Sequence, residues 1–177
     1  MYSLRLIIRT DMLLLFVFTV FLLINCGQEP KPLISEDRLM EIAEIYEEAR
    51  NSYDLDLLDQ IFAPDVTVYD PSSPETINGL AALKEYYHGS HAGIPDLKLT
   101  MDEQYISGDR IFWIWSFSGT HTDTLRGLPP TGKAVKFSGV AIDRIVDGMI
   151  VEEWVYYDML GLMMQLGFKV VPVEAEG

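Results

Sequence analysis

Residues 135–158 read VKFSGVAIDRIVDGMIVEEWVYYD and contain the clearest structural signal in the chain. Val135 to Val146 and Met149 to Asp158 are both rich in β-branched and aromatic residues, which favour strands. Asp147-Gly148 lies between them and is a two-residue sequence typical of a tight hairpin turn. This stretch therefore predicts two long antiparallel strands joined by a short turn.

Two further strands are predicted before this hairpin. Residues 97–102 alternate apolar and polar side chains, which is the pattern of a half-buried strand. Residues 111–122 form a long aromatic-rich run, and the turn sequence Ser107-Gly108-Asp109 separates the two segments. A loop rich in proline and glycine, 127–133, then leads into the hairpin. A sheet of successive antiparallel strands is therefore expected.

Helical patterns precede these strands. Ser35 is followed by two acidic residues, which is typical of a helix start, and apolar residues then recur at helical spacing. The expected helices are Ser35 to Ala49, Asp54 to Pro64, about Leu80 to His88 and about Met159 to Leu166. Helices followed by antiparallel strands favour an α+β fold with the helices on one face of the sheet. A ligand pocket is expected between the two layers.

The N-terminal segment has the pattern of a targeting sequence. Arg5 and Arg9 precede an apolar-rich run of 13 residues, Met12 to Ile24, whereas a membrane-spanning helix needs roughly 20. Cys26, the single cysteine, follows this run and resembles the acylated cysteine of a bacterial lipobox. We expect a signal peptide over 1–25 and an exported protein held on the membrane by lipidated Cys26. Ordinary cleavage or an uncleaved anchor are the alternatives.

The organisation expected downstream is a tether over 26–34, one domain over 35–170 and a tail over 171–177. The formal net charge of −14 repels phosphate backbones, so nucleic acid is not expected as a partner. One cysteine cannot form an internal disulfide. The sequence contains no histidine spacing typical of a metal site, no glycine-rich phosphate loop and no Gly-x-Ser-x-Gly motif. We therefore expect no metal.

Several short motifs occur together in a characteristic order. They are Pro95-Asp96-Leu97, Gly108-Asp109-Arg110, Gly119-Thr120-His121, Gly127 to Lys133, Asp147-Gly148, Glu152-Glu153-Trp154, Asp158 and Gln165-Leu166-Gly167. Over roughly Leu39 to Phe168 the chain resembles the SnoaL-like polyketide cyclases, or ester cyclases, of the NTF2-like superfamily. The resemblance implies a cone, in which N-terminal helices pack on a curved antiparallel sheet around one apolar pocket. It also implies a homodimer.

The resemblance further implies an activity. Members of the family close a ring on a polyketide methyl ester by an intramolecular aldol condensation, without a metal or other cofactor. A carboxylate removes a proton next to a carbonyl group. In the family the last strand reads approximately Glu-His-Trp-Asp-x-x-Asp, and its histidine and first aspartate point into the pocket. The matching residues here are Glu153 and Val155, so the family's acid/base aspartate is absent from its position.

Glu153 is the leading catalytic candidate, because strand alternation places it on the same face as residue 155. If it is buried, desolvation would raise its pKa towards neutrality and suit it to proton transfer as a base. It could instead lie at the mouth of the cone or pair with a lysine. His121, the second candidate, could bind a ligand carbonyl or orient the loop 127–133.

The expected pocket walls are mainly aromatic. They comprise Trp113, Trp115, Phe117, Val155, Tyr157 and Met163, although packing against the helices would explain most of these residues equally well. Other polar residues are expected to have structural roles. Asp70 would shape its loop, Asp143 or Arg144 would form a cross-strand ion pair, and His88 and His91 would lie at the surface.

Three functions follow from these observations. The first is a cofactor-free cyclase-like enzyme that acts on a carbonyl compound by proton abstraction, aldol-type cyclisation or isomerisation. The second is a non-catalytic lipoprotein that binds a hydrophobic or aromatic small molecule in the same pocket. Val155 and the lipid anchor favour this second function. The third is an assembly protein that uses the outer face of the sheet to dimerise or to bind a partner.

Overall fold

The computed structural model describes residues 34–169 and 171. The predicted signal peptide over 1–25, the lipidation site Cys26, all but the last residue of the tether 26–34, and most of the tail 171–177 lie outside these residues. Among the described residues, no helix combines the length and apolar character needed to cross a bilayer. The remaining predictions fall on the described part of the chain.

Within the described residues, three α-helices and one short 3-10 helix form the helical layer. Helix α1 spans Glu36–Ser52, α2 spans Leu80–Gly93 and α3 spans Met159–Leu166. The Ser35 hydroxyl accepts a hydrogen bond from the Arg38 amide (3.2 Å) and so caps α1, as its position predicts. Helix α2 continues past the expected end at His88, because a single helical glycine such as Gly89 weakens a helix by only about 1 kcal/mol.

The second predicted helix is shorter than its sequence pattern indicates. Residues Leu55–Gln60 form one 3-10 segment, and the chain already enters strand β1 at Phe62. The Asp54 side chain makes no capping hydrogen bond. Buried Leu55, Leu58 and Ile61 explain the apolar spacing, since a short 3-10 turn also brings such residues to one side.

In the part of the chain that the structure describes, six strands form one sheet. They are β1 Phe62–Tyr69, β2 Ile77–Asn78, β3 Lys98–Ser107, β4 Arg110–Thr120, β5 Ala134–Val146 and β6 Met149–Tyr157. Their order across the sheet is β2-β1-β6-β5-β4-β3. The predicted hairpin 135–158 is the pair β5–β6, which occupies the centre of the sheet.

The sheet is mixed rather than wholly antiparallel. Strand β1 pairs with β6 in the parallel direction, and the other pairings are antiparallel. The parallel pair is possible because helix α2 and four strands separate β1 from β6 along the chain, so no hairpin fixes their relative direction. Register shifts interrupt the ladders in β1, β3 and β5, and such irregularities bend a strand and increase its twist.

The helices pack on the concave face of this sheet. Leu39, Ile42, Tyr46 and Ala49 form the buried stripe of α1, and the odd-numbered residues of β4 from Ile111 to Phe117 face them. The opposite, convex face exposes Ile114, Val140 and Tyr156. The α+β fold with helices on one face of a curved, open sheet is therefore confirmed.

Candidate functional site

A partly open cavity lies between α1, α2 and the concave face of the sheet. It encloses about 100 Å³ and has one apolar wall and one polar wall. The apolar wall includes Trp115, Phe117, Phe137, Val155, Tyr157 and Leu162. The polar wall includes Tyr46, Arg50, Asp70, Tyr86, Tyr87, Arg126 and Glu153. The combination of an apolar wall with a few convergent polar groups is typical of a small-molecule site.

The structure brings five of the predicted site residues to this cavity. Glu153, Val155 and Tyr157 line it from β6, as strand alternation predicts, and Trp115 and Phe117 line it from β4. Trp113 and Met163 lie elsewhere. Trp113 is fully buried behind the cavity, and Met163 is a half-buried residue packed against the core, whereas its neighbour Leu162 reaches the cavity.

His121 lies at the end of β4, among residues that shape the following loop. Its Nδ1 is 3.1 Å from the Thr131 hydroxyl, and its backbone pairs with Gly132 and Lys133. The side chain is fully buried and is not part of the cavity wall. Of the two roles expected from the sequence, the observed contacts match the orientation of the loop 127–133.

Glu153 is buried inside the cavity wall, with 2% of its surface exposed. Its Oε1 accepts a hydrogen bond from the Tyr46 hydroxyl (3.3 Å), and its Oε2 has no hydrogen-bond partner in the part of the chain that the structure describes. Burial raises the pKa of Glu153 well above its usual value, and the neighbouring charge of Asp143 raises the pKa further. The environment therefore favours the protonated carboxyl, which can donate a hydrogen bond.

Asp143 lies directly beside Glu153 on the adjacent strand. The two residues are cross-strand partners, and both side chains are almost completely buried. The Trp113 Nε1 donates a hydrogen bond to Asp143 Oδ2 (2.7 Å), which accounts for the position of Trp113. Burial raises the pKa of Asp143 to about 7. Two buried carboxyls this close titrate as a pair rather than independently.

The expected cross-strand ion pair involves Arg144, not Asp143. The Arg144 Nε lies 2.7 Å from Glu152 Oε2 on the neighbouring strand. Asp143 faces the opposite side of the sheet, where no cation pairs with it among the described residues. Strand alternation separates the two neighbours, and only the outward one meets an opposite charge.

Two tyrosines extend the polar group around Glu153. The Tyr46 and Tyr87 hydroxyls lie 2.5 Å apart, so a chain of hydrogen bonds runs from Tyr87 through Tyr46 to Glu153. Burial raises the pKa of both phenols. Both tyrosines therefore remain protonated donors. Tyr46 comes from the buried stripe of α1 and Tyr87 from α2.

A second carboxyl group, Asp70, lines the cavity just after β1. Its Oδ1 accepts hydrogen bonds from the Ser72 amide (2.8 Å), the Ser72 hydroxyl (2.7 Å) and the Tyr157 hydroxyl (3.3 Å). Asp70 thus shapes its loop, as expected, and also belongs to the cavity, which was not expected. Burial, followed by the charge of Asp70, raises the pKa of Tyr157 to about 12.

Two arginines also line the cavity. Arg50 in the last turn of α1 and Arg126 in the loop after β4 place their guanidinium groups over the rings of Tyr87 and Tyr86. His91 packs nearby and is buried, so the expectation that it lies at the surface is wrong. Burial, followed by the charge of Arg50, lowers the pKa of His91 to about 4.

The polar wall was largely missed from the sequence. Tyr46 belongs to the helically spaced apolar residues of α1, and neither Tyr46, Tyr87 nor the two arginines is among the site residues expected from the sequence. The available signal was a long polar-tipped side chain within an apolar stripe, which occurs at Arg50 one turn beyond Tyr46. No group of three or more potential metal ligands comes together within the residues that the structure covers.

The fold is an NTF2-like α+β fold with a cavity on the concave face of the sheet. The family of SnoaL-like polyketide cyclases matches residues 40–166, and the chain belongs to this family. The fold and the family predicted from the sequence motifs are thereby confirmed. No curated protein matches the chain by sequence.

Solved structures agree with this assignment. TsrD from Streptomyces laurentii is 25% identical, with a TM-score of 0.69 over 76% of this chain and 98% of that chain. IdmH from Streptomyces antibioticus, a proposed polyketide cyclase, is 27% identical, with a TM-score of 0.61 over 73% and 98%. A proposed SnoaL-like polyketide cyclase from Jannaschia is 18% identical and shows the shared fold, with a TM-score of 0.69 over 81% and 100%.

Proposed function

We propose that this protein is a cofactor-free acid/base catalyst that forms an enolate from a carbonyl compound and directs it to aldol-type cyclisation or isomerisation. The main support is the buried carboxyl of Glu153, which faces the cavity and is hydrogen-bonded to Tyr46. Family membership supports the same class of reaction. In this proposal Glu153 acts as the hydrogen-bond donor, and Asp70 acts as the base.

The two carboxyl groups suit different roles because their surroundings differ. Glu153 is buried beside another carboxyl, so its proton is retained. Asp70 is only half-buried and is oriented by three hydrogen bonds to one oxygen. Pairs of carboxyls in contrasting environments commonly divide acid and base functions in this way. Both line one cavity, so one substrate can contact both.

The reaction follows from these positions. Asp70 removes a proton from the carbon next to the substrate carbonyl, and negative charge develops on the carbonyl oxygen. A hydrogen bond from Glu153 stabilises this oxygen, and Tyr46 supports Glu153. The enolate carbon then forms a bond to a second carbonyl carbon of the same molecule. The resulting alkoxide takes the proton back from Asp70, so no external acid, metal or oxidant is consumed.

Exchange of α-protons provides a direct test, because it reports enolate formation without requiring the natural substrate. The enzyme is incubated with 2-tetralone in D₂O, and loss of the α-proton signal is followed by NMR. We expect Asp70→Asn to slow exchange by about 10²–10⁴-fold, as for loss of a general base. Glu153→Leu should slow it by about 10²–10³-fold, as for loss of an oxyanion donor.

Neighbouring residues supply matched controls. Asp65→Asn changes an exposed aspartate of β1, and Glu152→Gln changes the residue before Glu153, whose side chain pairs with Arg144 instead. Both controls should exchange protons at the wild-type rate. Undiminished exchange in folded Asp70→Asn or Glu153→Leu protein would remove the corresponding residue from the mechanism.

Val155 favours a second candidate function. This residue lines the cavity at the position where the resemblance places the family's acid/base aspartate. The protein could therefore hold an apolar or aromatic ligand without transforming it. In that case native mass spectrometry of the purified protein should show a bound small molecule, and no α-proton exchange should exceed the rate in buffer. Exchange that depends on Asp70 would exclude this alternative.

We further propose that residues 1–25 are removed and that Cys26 carries the lipid that holds the protein on a membrane. The support is the sequence pattern of a short apolar run followed at once by the single cysteine. Several acyl chains would hold the protein stably, since each buried methylene adds about 0.8 kcal/mol. Cys26→Ala should move the protein from the membrane to the soluble fraction. Unchanged membrane retention of this variant would contradict lipidation.

A further inference from the structure

Arg50 is a buried cation that forms no ion pair with any carboxylate of the described residues. Only 8% of its surface is exposed, and its Nε has no hydrogen-bond partner among the described residues. The ion pairs found in residues 34–169 involve Arg38, Lys84, Arg110 and Arg144, and therefore leave Arg50 unpaired. Burying an unpaired charge is unfavourable, so the position of Arg50 calls for an explanation.

The protein itself supplies little compensation for this charge. The guanidinium carbon lies 3.7 Å from the centre of the Tyr87 ring, and such a cation–π contact offsets only part of the lost hydration. Glu153 lines the same cavity but lies beyond ion-pair distance, and its surroundings favour the neutral carboxyl. Asp70 also lines the cavity and is the negatively charged base of the proposed mechanism, but among the described residues it forms no ion pair with Arg50. Arg50 is therefore not neutralised by direct contact with either carboxyl group of the cavity.

Arg126 brings a second guanidinium to the same cavity. Its carbon lies 4.0 Å from the centre of the Tyr86 ring, and its Nη2 donates a hydrogen bond to the Ser90 hydroxyl (3.0 Å). Tyr86 and Tyr87 are adjacent in α2, so two neighbouring rings each hold an arginine at the cavity wall. This local positive charge stands out in a chain whose formal net charge is −14. A guanidinium group is well suited to bind a carboxylate through two parallel hydrogen bonds.

The opposite wall indicates what the rest of the ligand is. Trp115, Phe117, Phe137 and Tyr157 form a cluster with ring centres 5.0 to 5.9 Å apart, and all four line the cavity. Flat rings pack favourably on such a surface in offset or edge-to-face arrangements. An alkyl chain would bury apolar area there but would gain no ring–ring contact.

We propose that the cavity binds a flat aromatic ligand that carries a carboxylate, with Arg50 bound to the carboxylate and Arg126 as a second positive group. This ligand would occupy the site of the proposed function, so its location rests on that proposal. Its chemical class rests instead on the two arginines and the aromatic rings of the cavity. The carboxylate is a binding group, and it remains unchanged while the carbonyl region reacts.

Calorimetric titration with matched compounds tests this proposal. 2-Naphthoate carries the carboxylate, 2-naphthamide is its neutral analogue and decanoate carries a carboxylate on an alkyl chain. We expect 2-naphthoate to bind wild-type protein at least tenfold more tightly than 2-naphthamide and decanoate. Arg50→Met should abolish the preference for the acid while changing amide affinity by less than about twofold, and Arg50→Lys should retain part of the preference.

Arg110 provides the matched control. It also stacks on an aromatic ring, that of Trp154 at 4.7 Å, but it is not among the cavity residues. Arg110→Met should therefore bind all three compounds as the wild type does. Equal affinity of wild-type protein for acid and amide, failure to bind either, or a preference that persists in the Arg50→Met/Arg126→Met double variant would overturn the proposal. Tighter binding of decanoate would overturn its aromatic part.

Binding and catalysis can fail separately in these experiments. Arginine-dependent binding of 2-naphthoate without exchange of 2-tetralone protons would support the anionic ligand and contradict the catalytic proposal. Exchange that depends on Asp70, together with equal binding of acid and amide, would support the catalytic proposal and contradict the anionic ligand.

Discussion

Glu153 illustrates how far a single residue can be interpreted from sequence. Strand alternation and the family motif predict that its side chain lies inside the cone, where the structure places it, and burial raises its pKa there. Its partners could not be predicted, because Tyr46 is 107 positions away and Asp143 depends on the register of β5 and β6. These contacts are the reason why we propose Glu153 as a proton-bearing donor and not as the base.

Burial of Glu153 makes the stability of the protein depend on pH. The pKa of Glu153 is higher in the folded protein than in the unfolded chain, where it is about 4.3. Its contribution to the free energy of unfolding is therefore fully present below pH 4.3 and is lost as the pH rises towards the folded-state pKa. Glu153→Gln should remove this loss. In urea unfolding from pH 5 to 9, the free energy of unfolding of the variant relative to the wild type should increase by up to about 1.4 kcal/mol per pH unit for one proton. A constant difference would contradict burial of a titrating Glu153.

Asp143 should act on catalysis only through Glu153. Its charge helps to raise the pKa of Glu153, so Asp143→Asn should lower that pKa. Because activity requires protonated Glu153, the alkaline decline of α-proton exchange should move to lower pH in the variant. A pH–rate profile measures the shift, and Glu152→Gln serves as the control. A reduced rate with an unmoved alkaline limb would indicate a purely structural role.

Whole elements were predictable where one face is buried and local sequence agrees with the fold. The hairpin 135–158, the buried stripe of α1 and the last helix follow from periodicity and turn residues. In the structure Asp158 caps α3, and its Oδ1 accepts a hydrogen bond from the Gly161 amide (2.8 Å). Two features could not be predicted from the sequence. Packing against the rest of the fold determines the 3-10 segment Leu55–Gln60, and pairing between distant parts of the chain determines the parallel arrangement of β1 and β6.

Two glycines in different elements should respond to alanine in opposite ways. At Gly139 in β5 an added Cβ would lie 2.2 Å from the Trp115 ring and 2.6 Å from the Tyr156 carbonyl oxygen. Gly139→Ala should therefore destabilise the protein by about 1–3 kcal/mol and displace Trp115. At Gly89 in α2 nothing lies within 4 Å, so Gly89→Ala should stabilise by about 0.5–1 kcal/mol. Chemical denaturation measures both effects, and equal changes would contradict the close packing at Trp115.

On the scale of the whole molecule, the motifs were sufficient to recognise the family, since they are spread along most of the domain that matches it. They identified the apolar wall better than the polar one. An aromatic pattern on one strand is local information, whereas the polar wall combines α1, α2, the loop after β1 and the loop after β4. Only the folded chain brings Tyr46, Asp70, Tyr87 and Arg126 together.

The homodimer implied by the family resemblance remains a proposal, and we place it on the convex face of the sheet. Ile114, Val140 and Tyr156 are cross-strand neighbours on β4, β5 and β6 and form an exposed apolar row. Val140→Lys should convert a dimer to a monomer in light scattering coupled to size-exclusion chromatography. Val146→Lys, an exposed valine of the same strand outside this row, is the control. A monomeric wild type, or a dimer that persists in Val140→Lys, would contradict this interface.

The protonation state of Glu153 is the central claim, and ¹³C NMR of protein labelled at the glutamate side-chain carboxyl carbons measures it directly. We expect one resonance to titrate well above the range of the other glutamates and to be absent from Glu153→Gln protein. If every glutamate titrates in the ordinary range and the variant lacks only such a resonance, Glu153 is ionised at neutral pH and cannot be the hydrogen-bond donor.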